Sequence, residues 1–315
     1  MNKLRITTEN RTRLETVIPL STPYLVFLDP SNLCNQQCEY CPTGNRKLMK
    51  QIGIKQQLMH FDLYRHIIDQ FVDFPQKVKT LRLYKMGEPL LNPDFPDMVR
   101  YAKDSRYFGR IDTTSNGRLL TEKLSRLLIL SGLNKIFISV PKDYDKQYID
   151  NVKYLYVNSR GNLEVFVKIA GDYLNPREQE DFAADFSDIS DSCAIEHTAD
   201  CWPGFTPDGL NKKVGIYGQP IAEDIKVCPY SMYSMTINSD GTVSHCFLDW
   251  RQSFILGDLS KDKIKRIWDK ECREIQMAML AGYRHELPNC FECNHHLYGM
   301  PDNIDQYADE LLKKY

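Results

Sequence analysis

The stretch Cys34-Asn35-Gln36-Gln37-Cys38-Glu39-Tyr40-Cys41 places three cysteines four and then three residues apart. An apolar run over 24–29, which predicts a strand, ends shortly before it. In barrels of alternating strands and helices, the loops that follow the strands build the active site. Three thiols in such a loop therefore predict a metal site at a functional edge of the fold.

The number of thiols separates two kinds of metal site. A closed structural zinc site uses four protein ligands. After Cys41 the next histidine is His60 and the next cysteine is Cys193, so no fourth ligand stands nearby in the sequence. Three thiolates on a four-iron cluster leave one iron open to a ligand from outside the protein. The sequence favours the cluster, and an atypical zinc site or a loop with chance cysteines stays as the alternative.

Short β-branched runs alternate with longer segments of helical period up to about residue 200, which predicts repeated βα units around a parallel sheet. Strands are predicted at 24–29, 80–84, 109–113, 135–140, 163–169 and 194–197. Amphipathic helices are predicted at 61–72, 94–102 and 121–131. Thr121 is the expected N-cap of the last helix. The fold class is therefore α/β, with a partial (β/α)6 barrel over 22–202 that follows an N-terminal extension over 1–21.

A second module follows the barrel. Glycine and proline spacing over 203–224 predicts a linker or lid. The segment 225–300 is predicted as a small α+β module, with strands over 232–238 and 242–246 joined at Ser239-Asp240-Gly241 and a helix over 261–280. A C-terminal helix is expected over 301–315.

Composition excludes several classes of function. The 315 residues carry 40 basic and 42 acidic side chains, so there is no overall positive field for nucleic acid or an anionic membrane surface. No apolar stretch approaches the length of a membrane span, and the first residues lack a signal-peptide core. We therefore expect a cytoplasmic protein, in which ten cysteines indicate metal ligation rather than disulfides.

Four further cysteines form a second group. Cys228 and Cys246 flank the predicted hairpin, and Cys290 and Cys293 form a close pair after the long helix. Four thiolates can saturate a [4Fe–4S] cluster or form a tetrahedral zinc site. Spacing alone leaves both possibilities open.

The first cysteine group resembles the C-x3-C-x2-C fingerprint of the radical S-adenosylmethionine (SAM) superfamily. The resemblance implies that Cys34, Cys38 and Cys41 hold a [4Fe–4S] cluster whose open iron binds SAM. It further implies that reductive cleavage of SAM gives a 5'-deoxyadenosyl radical, which takes a hydrogen atom from a small-molecule substrate. An electron donor such as a flavodoxin or ferredoxin is the expected partner.

Cofactor-binding positions are carried over from the same resemblance. Gly87 and Glu88 are similar to the last two residues of the family's Gly-Gly-Glu element for the methionyl ammonium, although Met86 replaces the first glycine. Ser115 and Asn116 lie in a Thr-Ser-Asn-Gly segment similar to the family's Thr-Asn-Gly element. Ser139 matches a serine that ends a later strand, where a purely structural serine is the alternative.

Two residues are candidate catalytic groups. Lys168 shares one face of its predicted strand with Glu164 and Phe166. That face is either the barrel interior, where Lys168 would be a substrate contact or proton acceptor, or an exposed edge. Cys272 is the preferred hydrogen-atom donor for an epimerisation, with Cys193, Cys201 and His197 as further residues of undecided role.

The second module resembles the SPASM auxiliary-cluster domain in its shortened single-cluster form, known as twitch. The pattern includes Cys228-Pro229, Gly257-Asp258, Trp268 and the Cys290/Cys293 pair, and no cysteine follows Cys293. The resemblance implies a second, fully ligated [4Fe–4S] cluster that moves electrons.

The family analogy favours a carbohydrate or aminocyclitol substrate that is oxidised or epimerised. With 33 residues before Cys34, a leader-binding domain of the kind found in many peptide-modifying relatives is not expected. Peptide modification is the alternative activity. A non-catalytic iron-sulfur or zinc protein is the alternative from another class.

Overall fold

The fold was examined in a computed structural model of the chain, which describes residues 11–207, 210, 213–299 and 302–315. The first ten residues of the predicted N-terminal extension lie outside the described residues. So do residues 208, 209, 211 and 212 of the predicted linker, residue 300 of the second module, and residue 301 of the predicted C-terminal helix.

Within the described residues, nine strands form one sheet, in the order β6-β5-β4-β3-β2-β1-β7-β8-β9. The strands are β1 (Leu25–Leu28), β2 (Val78–Arg82), β3 (Phe108–Ser115), β4 (Lys135–Ser139), β5 (Glu164–Ala170), β6 (Ser192–Glu196), β7 (Ser234–Ile237), β8 (Thr242–Ser244) and β9 (Ile255–Asp258). The first six run parallel to one another, so their carboxyl ends share one edge. This confirms the predicted α/β fold with six βα units.

The α-helices connect the strands or follow them. They are α1 (Arg46–Ile52), α2 (Phe61–Asp69), α3 (Phe95–Ser105), α4 (Glu122–Ser131), α5 (Lys146–Ser159), α6 (Pro176–Phe186), α7 (Tyr230–Tyr233), α8 (Ile264–Asp269), α9 (Glu271–Leu280), α10 (His295–Tyr298) and α11 (Ala308–Leu312). Thr121 caps α4 as predicted, because its side chain accepts a hydrogen bond from the Leu124 N–H. One continuous core joins the apolar faces of α2–α6 and α8 to the sheet, and smaller apolar clusters hold α1, α7 and α11.

The predicted second module is joined to the barrel through the sheet. Strand β7 pairs in parallel with β1, and β8 and β9 add antiparallel strands beyond it. The hairpin at Asp240-Gly241 is present, with strands shorter than predicted. Strand β9 was not predicted because its Gly257-Asp258 sequence is more typical of a turn.

Several predicted boundaries are wrong. Of the C-terminal helix predicted over 301–315, the described residues form an α-helix only at α11. The helix predicted over 261–280 is divided into α8 and α9 at Lys270, whose backbone leaves helical geometry (φ −119°, ψ −78°). Trp268, just before the break, is fully buried and donates from Nε1 to the Leu20 carbonyl at 2.9 Å, which fixes α8 against the N-terminal segment. The strand predicted over 80–84 begins and ends two residues earlier, at Val78–Arg82.

Among the described residues, no helix combines the length and the apolar character that a bilayer crossing requires.

Candidate active site and iron-sulfur sites

The loop after β1 carries the first three cysteines in a compact turn. The Cys41 N–H donates to the Cys38 carbonyl at 3.1 Å, and the Gly44 N–H donates to the Cys41 carbonyl at 3.0 Å. A Cβ atom at Gly44 would lie 2.4 Å from the Cys38 carbonyl oxygen, so this position needs glycine. Cys34, Cys38 and Cys41 are close enough for their charges to interact.

Burial disfavours free thiolates in this loop. It raises the pKa of the Cys34 thiol to about 12 and also raises the pKa values of Cys38 and Cys41. A bound cation displaces the thiol protons, so metal binding is what would hold such cysteines in the thiolate form. The chemistry of the three donors therefore fits a metal cluster.

The turn at Gly87 lies directly against this loop. A Cβ atom at residue 87 would lie 2.0 Å from the Ser31 carbonyl oxygen and 2.4 Å from the Leu33 carbonyl oxygen. The Glu88 N–H donates to the same Leu33 carbonyl at 2.7 Å. This close backbone approach joins the Gly87-Glu88 turn to Leu33, the residue before Cys34.

Glu88 is the centre of a buried hydrogen-bond network. Its carboxylate accepts from Ser115 Oγ at 2.7 Å, from the Asn116 N–H at 2.7 Å and from the Leu90 N–H at 3.0 Å. Burial raises the pKa of Glu88 to about 6, and these donors oppose the increase. Asn116 Nδ2 in turn donates to Asn35 Oδ1 at 2.7 Å, in the cysteine loop. The structure therefore brings together Gly87, Glu88, Ser115 and Asn116 beside the first cysteine group.

A cavity of about 160 Å³ opens at the carboxyl ends of β4, β5 and β6. Ser139 and Lys168 both line it, and they are directly paired across the β4–β5 register. Lys168 Nζ donates to Glu196 Oε2 at 2.8 Å. Strand β5 is an interior strand, and Val165, Val167 and Ile169 on its other face belong to the main apolar core. Lys168 therefore lies on the face toward the barrel interior rather than on an exposed edge.

His197 lines the same cavity and forms a pair with Asp172. Its Nδ1 lies 2.8 Å from Asp172 Oδ1. The second carboxylate oxygen of Asp172 accepts from the Thr198 N–H at 2.7 Å and from Thr198 Oγ1 at 3.0 Å. With Nδ1 engaged by a fixed carboxylate, the orientation of the imidazole ring is determined.

Aromatic residues connect this cavity to the cysteine loop. Tyr40, between Cys38 and Cys41, lines the cavity together with Trp202. Trp202 Nε1 donates to the Tyr40 carbonyl at 3.1 Å. Ile216, from the segment predicted as a linker or lid, also lines the cavity. The described part of that segment therefore forms one wall of the cavity.

The second group of cysteines converges as predicted. Cys228, Cys246, Cys290 and Cys293 line one shared cavity, and Cys246 is close enough to each of the other three for their charges to interact. Burial raises the pKa of every thiol in this set. His245 lies beside them, with Nε2 at 3.4 Å from Cys290 Sγ.

The spacing of the thiols bears on the zinc alternative. In the part of the chain that the structure describes, no three His, Cys, Asp or Glu side chains are arranged as ligands of a single metal ion. The four ligands of one zinc ion lie about 2 Å from it and so crowd together. The thiolates of a four-iron cluster bind different iron atoms and stand further apart. The described residues thus contain no preassembled site for a single zinc ion.

The three remaining cysteines differ in their surroundings. Cys272 is buried in the main apolar core, where burial raises its pKa, and it does not line the cavity beside Lys168. This position is contrary to the expectation that Cys272 faces the substrate, because apolar side chains enclose its thiol. Cys193 also belongs to that core. Cys201 lines the cavity, and its carbonyl lies 3.7 Å from Cys293 Sγ.

Sequence reasoning missed several residues of this region. Glu196 and Asp172 lie at or just after the carboxyl ends of β6 and β5. The same rule that selected Ser115 and Ser139, polar residues at strand ends, would have found both. Trp202 carried no comparable signal, because its contact with the cysteine loop joins segments that are far apart in sequence.

A partial parallel barrel with a three-cysteine loop at its carboxyl edge, joined to a four-cysteine module, defines a class of iron-sulfur proteins. The model of the radical SAM superfamily matches residues 28–170, and the SPASM model, an iron-sulfur cluster-binding domain, matches residues 228–294. The chain therefore carries a radical SAM domain followed by a C-terminal SPASM domain. These domains imply a SAM-binding [4Fe–4S] cluster and auxiliary iron-sulfur ligation in the second module.

Two curated relatives are 30% identical to this chain over limited segments. One is the tungsten-containing aldehyde ferredoxin oxidoreductase cofactor-modifying protein of Pyrococcus furiosus, 30% identical over 115 residues. The match covers 36% of this chain and 30% of that protein. The other is a probable GTP 3',8-cyclase of Methanococcus maripaludis, 30% identical over 131 residues, with coverage of 42% and 39%. The chain thus matches less than half the length of either relative.

Solved structures share the fold at lower identity. BtrN in complex with AdoMet and 2-DOIA has a TM-score of 0.60 at 18% identity, with coverage of 88% of this chain and 98% of that one. Streptococcus suis SuiB bound to precursor peptide SuiA has a TM-score of 0.61 at 15% identity, with coverage of 94% and 74%. AnSMEcpe with bound AdoMet has a TM-score of 0.58 at 12% identity, with coverage of 92% and 96%. At these identities the likeness concerns the fold alone.

Proposed function

We propose that this chain reductively cleaves SAM and removes a hydrogen atom from a small polar substrate, of the carbohydrate or aminocyclitol class, to oxidise or epimerise it. The cluster at Cys34, Cys38 and Cys41, when bound, supplies the electron that breaks the carbon–sulfur bond of SAM. The remaining tasks are assigned to residues of the chain, which bind SAM and the substrate, orient them and exclude water.

The SAM site is proposed at the Gly87-Glu88 turn. Three donors occupy the Glu88 carboxylate, which offers about four lone-pair positions, so capacity is left for an ammonium group. A charge-assisted hydrogen bond from the methionyl ammonium would also offset the burial of this carboxylate. Ser115 and Asn116 hold Glu88 in place and are proposed to lie beside the same ligand.

The cavity beside Lys168 is the observation that carries the substrate proposal. Its volume of about 160 Å³ is of the order that holds one six-membered ring, since a cavity of roughly 150 Å³ accommodates benzene. Ser139, the Lys168–Glu196 pair and the His197–Asp172 pair give it both donors and acceptors. Hydroxyl and amino groups on a ring would replace water at these groups, whereas an extended peptide would need a longer groove.

Proton transfer is assigned to the same residues. Oxidation of a carbinol carbon requires a base for the hydroxyl proton once the hydrogen atom on carbon has been removed. His197, held by Asp172, is the candidate acceptor at this cavity, and Lys168, paired with Glu196, is the candidate contact for the substrate hydroxyl. The auxiliary ligands Cys228, Cys246, Cys290 and Cys293 are proposed to hold the cluster that receives the remaining electron.

Incubation of the anaerobically reconstituted, reduced protein with SAM tests the first part of this proposal. We expect 5'-deoxyadenosine, and its absence under every reducing condition would favour a non-catalytic iron-sulfur or zinc protein. Deuterated sugars, aminocyclitols and peptides should then be screened for transfer of deuterium into 5'-deoxyadenosine. Transfer from a peptide alone would favour the alternative, peptide modification.

Lys168→Met tests the cavity itself. We expect a loss of at least about tenfold in substrate-dependent turnover, because one buried charge-assisted contact contributes roughly 1.5 kcal/mol or more. Substrate-independent formation of 5'-deoxyadenosine should persist. Lys153→Met, at an exposed position of α5, is the matched control and should leave both reactions unchanged. Equal loss in both variants would argue against a substrate contact at Lys168.

A further inference from the structure

A buried lysine from the barrel reaches the second cysteine group. Lys85 follows β2, two residues before Gly87, and is 8% exposed. Its Nζ donates to Asn238 Oδ1 at 2.5 Å and to the Asp249 carbonyl at 2.9 Å. Both partners belong to the module after the barrel, so Lys85 bridges the two parts of the molecule.

The contact ends close to a proposed cluster ligand. The Asp249 N–H donates to the Cys246 carbonyl at 3.1 Å, so the carbonyl bound by Lys85 and the Cys246 thiol belong to one tight turn. Cys246 is near enough to Lys85 for its thiolate charge to favour the lysine cation. Asn238 further ties Lys85 to the hairpin, because its Nδ2 donates to Ser244 Oγ at 2.9 Å.

The charges around Lys85 favour the ammonium form. Burial lowers the pKa of Lys85, but the nearby carboxylates of Asp249, Asp29 and Asp240 oppose this decrease. Asp249 and Asp29 are each 1% exposed, so their fields are weakly screened. The neutral partners in contact with Nζ, an amide and a backbone carbonyl, are both acceptors suited to an ammonium group.

A fixed cation has a defined effect on a cluster. Four thiolates make a [4Fe–4S] cluster negative, and reduction adds one more negative charge in a buried site. Net charge, hydrogen bonds to sulfur and exposure set the reduction potential of such clusters. A buried cation stabilises the reduced form more than the oxidised form, and therefore raises the potential.

We propose that Lys85, although it belongs to the barrel, is the residue whose charge raises the reduction potential of the cluster at Cys228, Cys246, Cys290 and Cys293. This inference rests on the proposed ligand role of those four cysteines. Lys85 is assigned an indirect role, because it contacts the turn that carries Cys246 and is not proposed to contact the substrate. Its consequence is that the auxiliary cluster more readily accepts an electron from the barrel side.

The test measures the auxiliary cluster by itself. A full-length parent protein with Cys34→Ala, Cys38→Ala and Cys41→Ala is reconstituted with iron and sulfide, and its midpoint potential is determined by redox titration followed by electron paramagnetic resonance. Lys85→Gln and Lys85→Met are introduced into this parent. Lys135→Gln is the matched control, because Lys135 is a partly buried lysine paired with Glu164 at the opposite end of the strands.

We expect both Lys85 variants to titrate at a more negative potential, with the ratio of reduced to oxidised cluster at a fixed potential falling about tenfold, equivalent to about 59 mV for one electron. Lys135→Gln should titrate like the parent. Gln keeps hydrogen-bond donors toward Asn238 and Asp249 but removes the charge. A Lys85→Gln potential equal to that of the parent would therefore overturn the proposal and leave Lys85 a structural role.

Other outcomes are also decisive. If both Lys85 variants fold but assemble no cluster, Lys85 is needed for cluster assembly and not for setting the reduction potential, and the proposal is wrong. If the parent itself assembles no cluster, the ligand assignment is wrong, and this inference is wrong with it. Formation of 5'-deoxyadenosine is measured separately with intact Cys34, Cys38 and Cys41, so failure of the proposed catalytic function is distinguishable from failure of this inference.

Discussion

Asp29 is a buried carboxyl group at the carboxyl edge of the sheet, and its pKa predicts a pH dependence of stability. It follows β1 at the carboxyl edge and is 1% exposed. Burial raises its pKa to about 7, while the charge of Lys85 opposes the increase. A carboxyl group with a folded pKa above its unfolded value contributes stability that is fully present below the unfolded pKa, and this contribution is lost progressively as the pH rises to and through about 7.

We predict that Asp29→Asn removes this pH dependence. Between about pH 6 and about pH 8, the wild-type free energy of unfolding should fall by roughly 1.4 kcal/mol more than that of the variant. Chemical denaturation of the metal-free chain at several pH values measures the difference. Asp104→Asn, at an exposed position of α3, should show no such change. Parallel pH profiles for wild type and Asp29→Asn would contradict a raised pKa at Asp29.

The cysteines outside the two metal sites give a second test at this scale. Cys272→Ala should lower the free energy of unfolding by roughly 1 kcal/mol, because it removes a buried sulfur from the core, and should leave product formation intact.

Cys201→Ala changes a residue of the cavity wall. If the product is an epimer, this variant should lose incorporation of deuterium from heavy water while still forming 5'-deoxyadenosine. Loss of inversion in Cys272→Ala alone would restore the original expectation.

At the scale of elements, the critical contact is between the turn after β2 and the loop after β1. The Gly87 backbone packs on the Ser31 and Leu33 carbonyls with no space for a side chain. The Glu88 N–H adds a hydrogen bond across the same contact. Two loops that are about fifty residues apart in the sequence thus form one wall around the proposed SAM site.

Gly87→Ala should separate these loops. A Cβ atom would meet backbone oxygen at 2.0 Å, and backbone cannot yield as a flexible side chain does. We expect SAM-dependent formation of 5'-deoxyadenosine to fall at least about a hundredfold, since displacements of about 1 Å have effects of this size. Gly161→Ala is the control, because the space around Gly161 is open and only its positive φ of 82° carries a cost, roughly 1 kcal/mol. Unchanged activity in Gly87→Ala would show that the loops tolerate separation.

At the scale of the whole molecule, the sheet makes the two cysteine groups parts of one structure. Strand β7 pairs with β1 over four residue positions, and β1 leads directly into the first cysteine loop. Lys85 adds a contact between the barrel and the second module, because its Nζ donates to Asn238. Loss of one cluster is therefore expected to affect the stability of the entire fold.

Cys290→Ala tests this coupling. The variant should contain about four fewer iron atoms per chain than the wild type and should unfold at a lower temperature, because a metal bound only by the folded state adds its binding free energy to folding. Iron and sulfide analysis and thermal unfolding under anaerobic conditions measure both effects. Cys193→Ala, at a core cysteine outside either cysteine group, should keep the full iron content. An unchanged iron content together with an unchanged unfolding temperature in Cys290→Ala would remove Cys290 from the ligand set.

The sequence by itself determined the local chemistry: strand periodicity, the Thr121 cap, the three-cysteine loop and the pairing of Gly87 with Glu88 in one turn. These features depend on neighbours in the chain, so their residue types and spacing express them directly. The break at Lys270 was not visible, because α8 is oriented by the contact of Trp268 with the distant Leu20.

Only the tertiary structure decided which distant residues share a site. It placed Lys168 inside the barrel with Glu196, placed Cys272 in the core and Cys201 at the cavity, and joined β7 to β1. It also brought Lys85 to the turn of Cys246. The side of a strand to which a side chain points follows from alternation along the chain. The residues that it contacts depend on the order of the strands and on the course of the loops, which no local sequence pattern encodes.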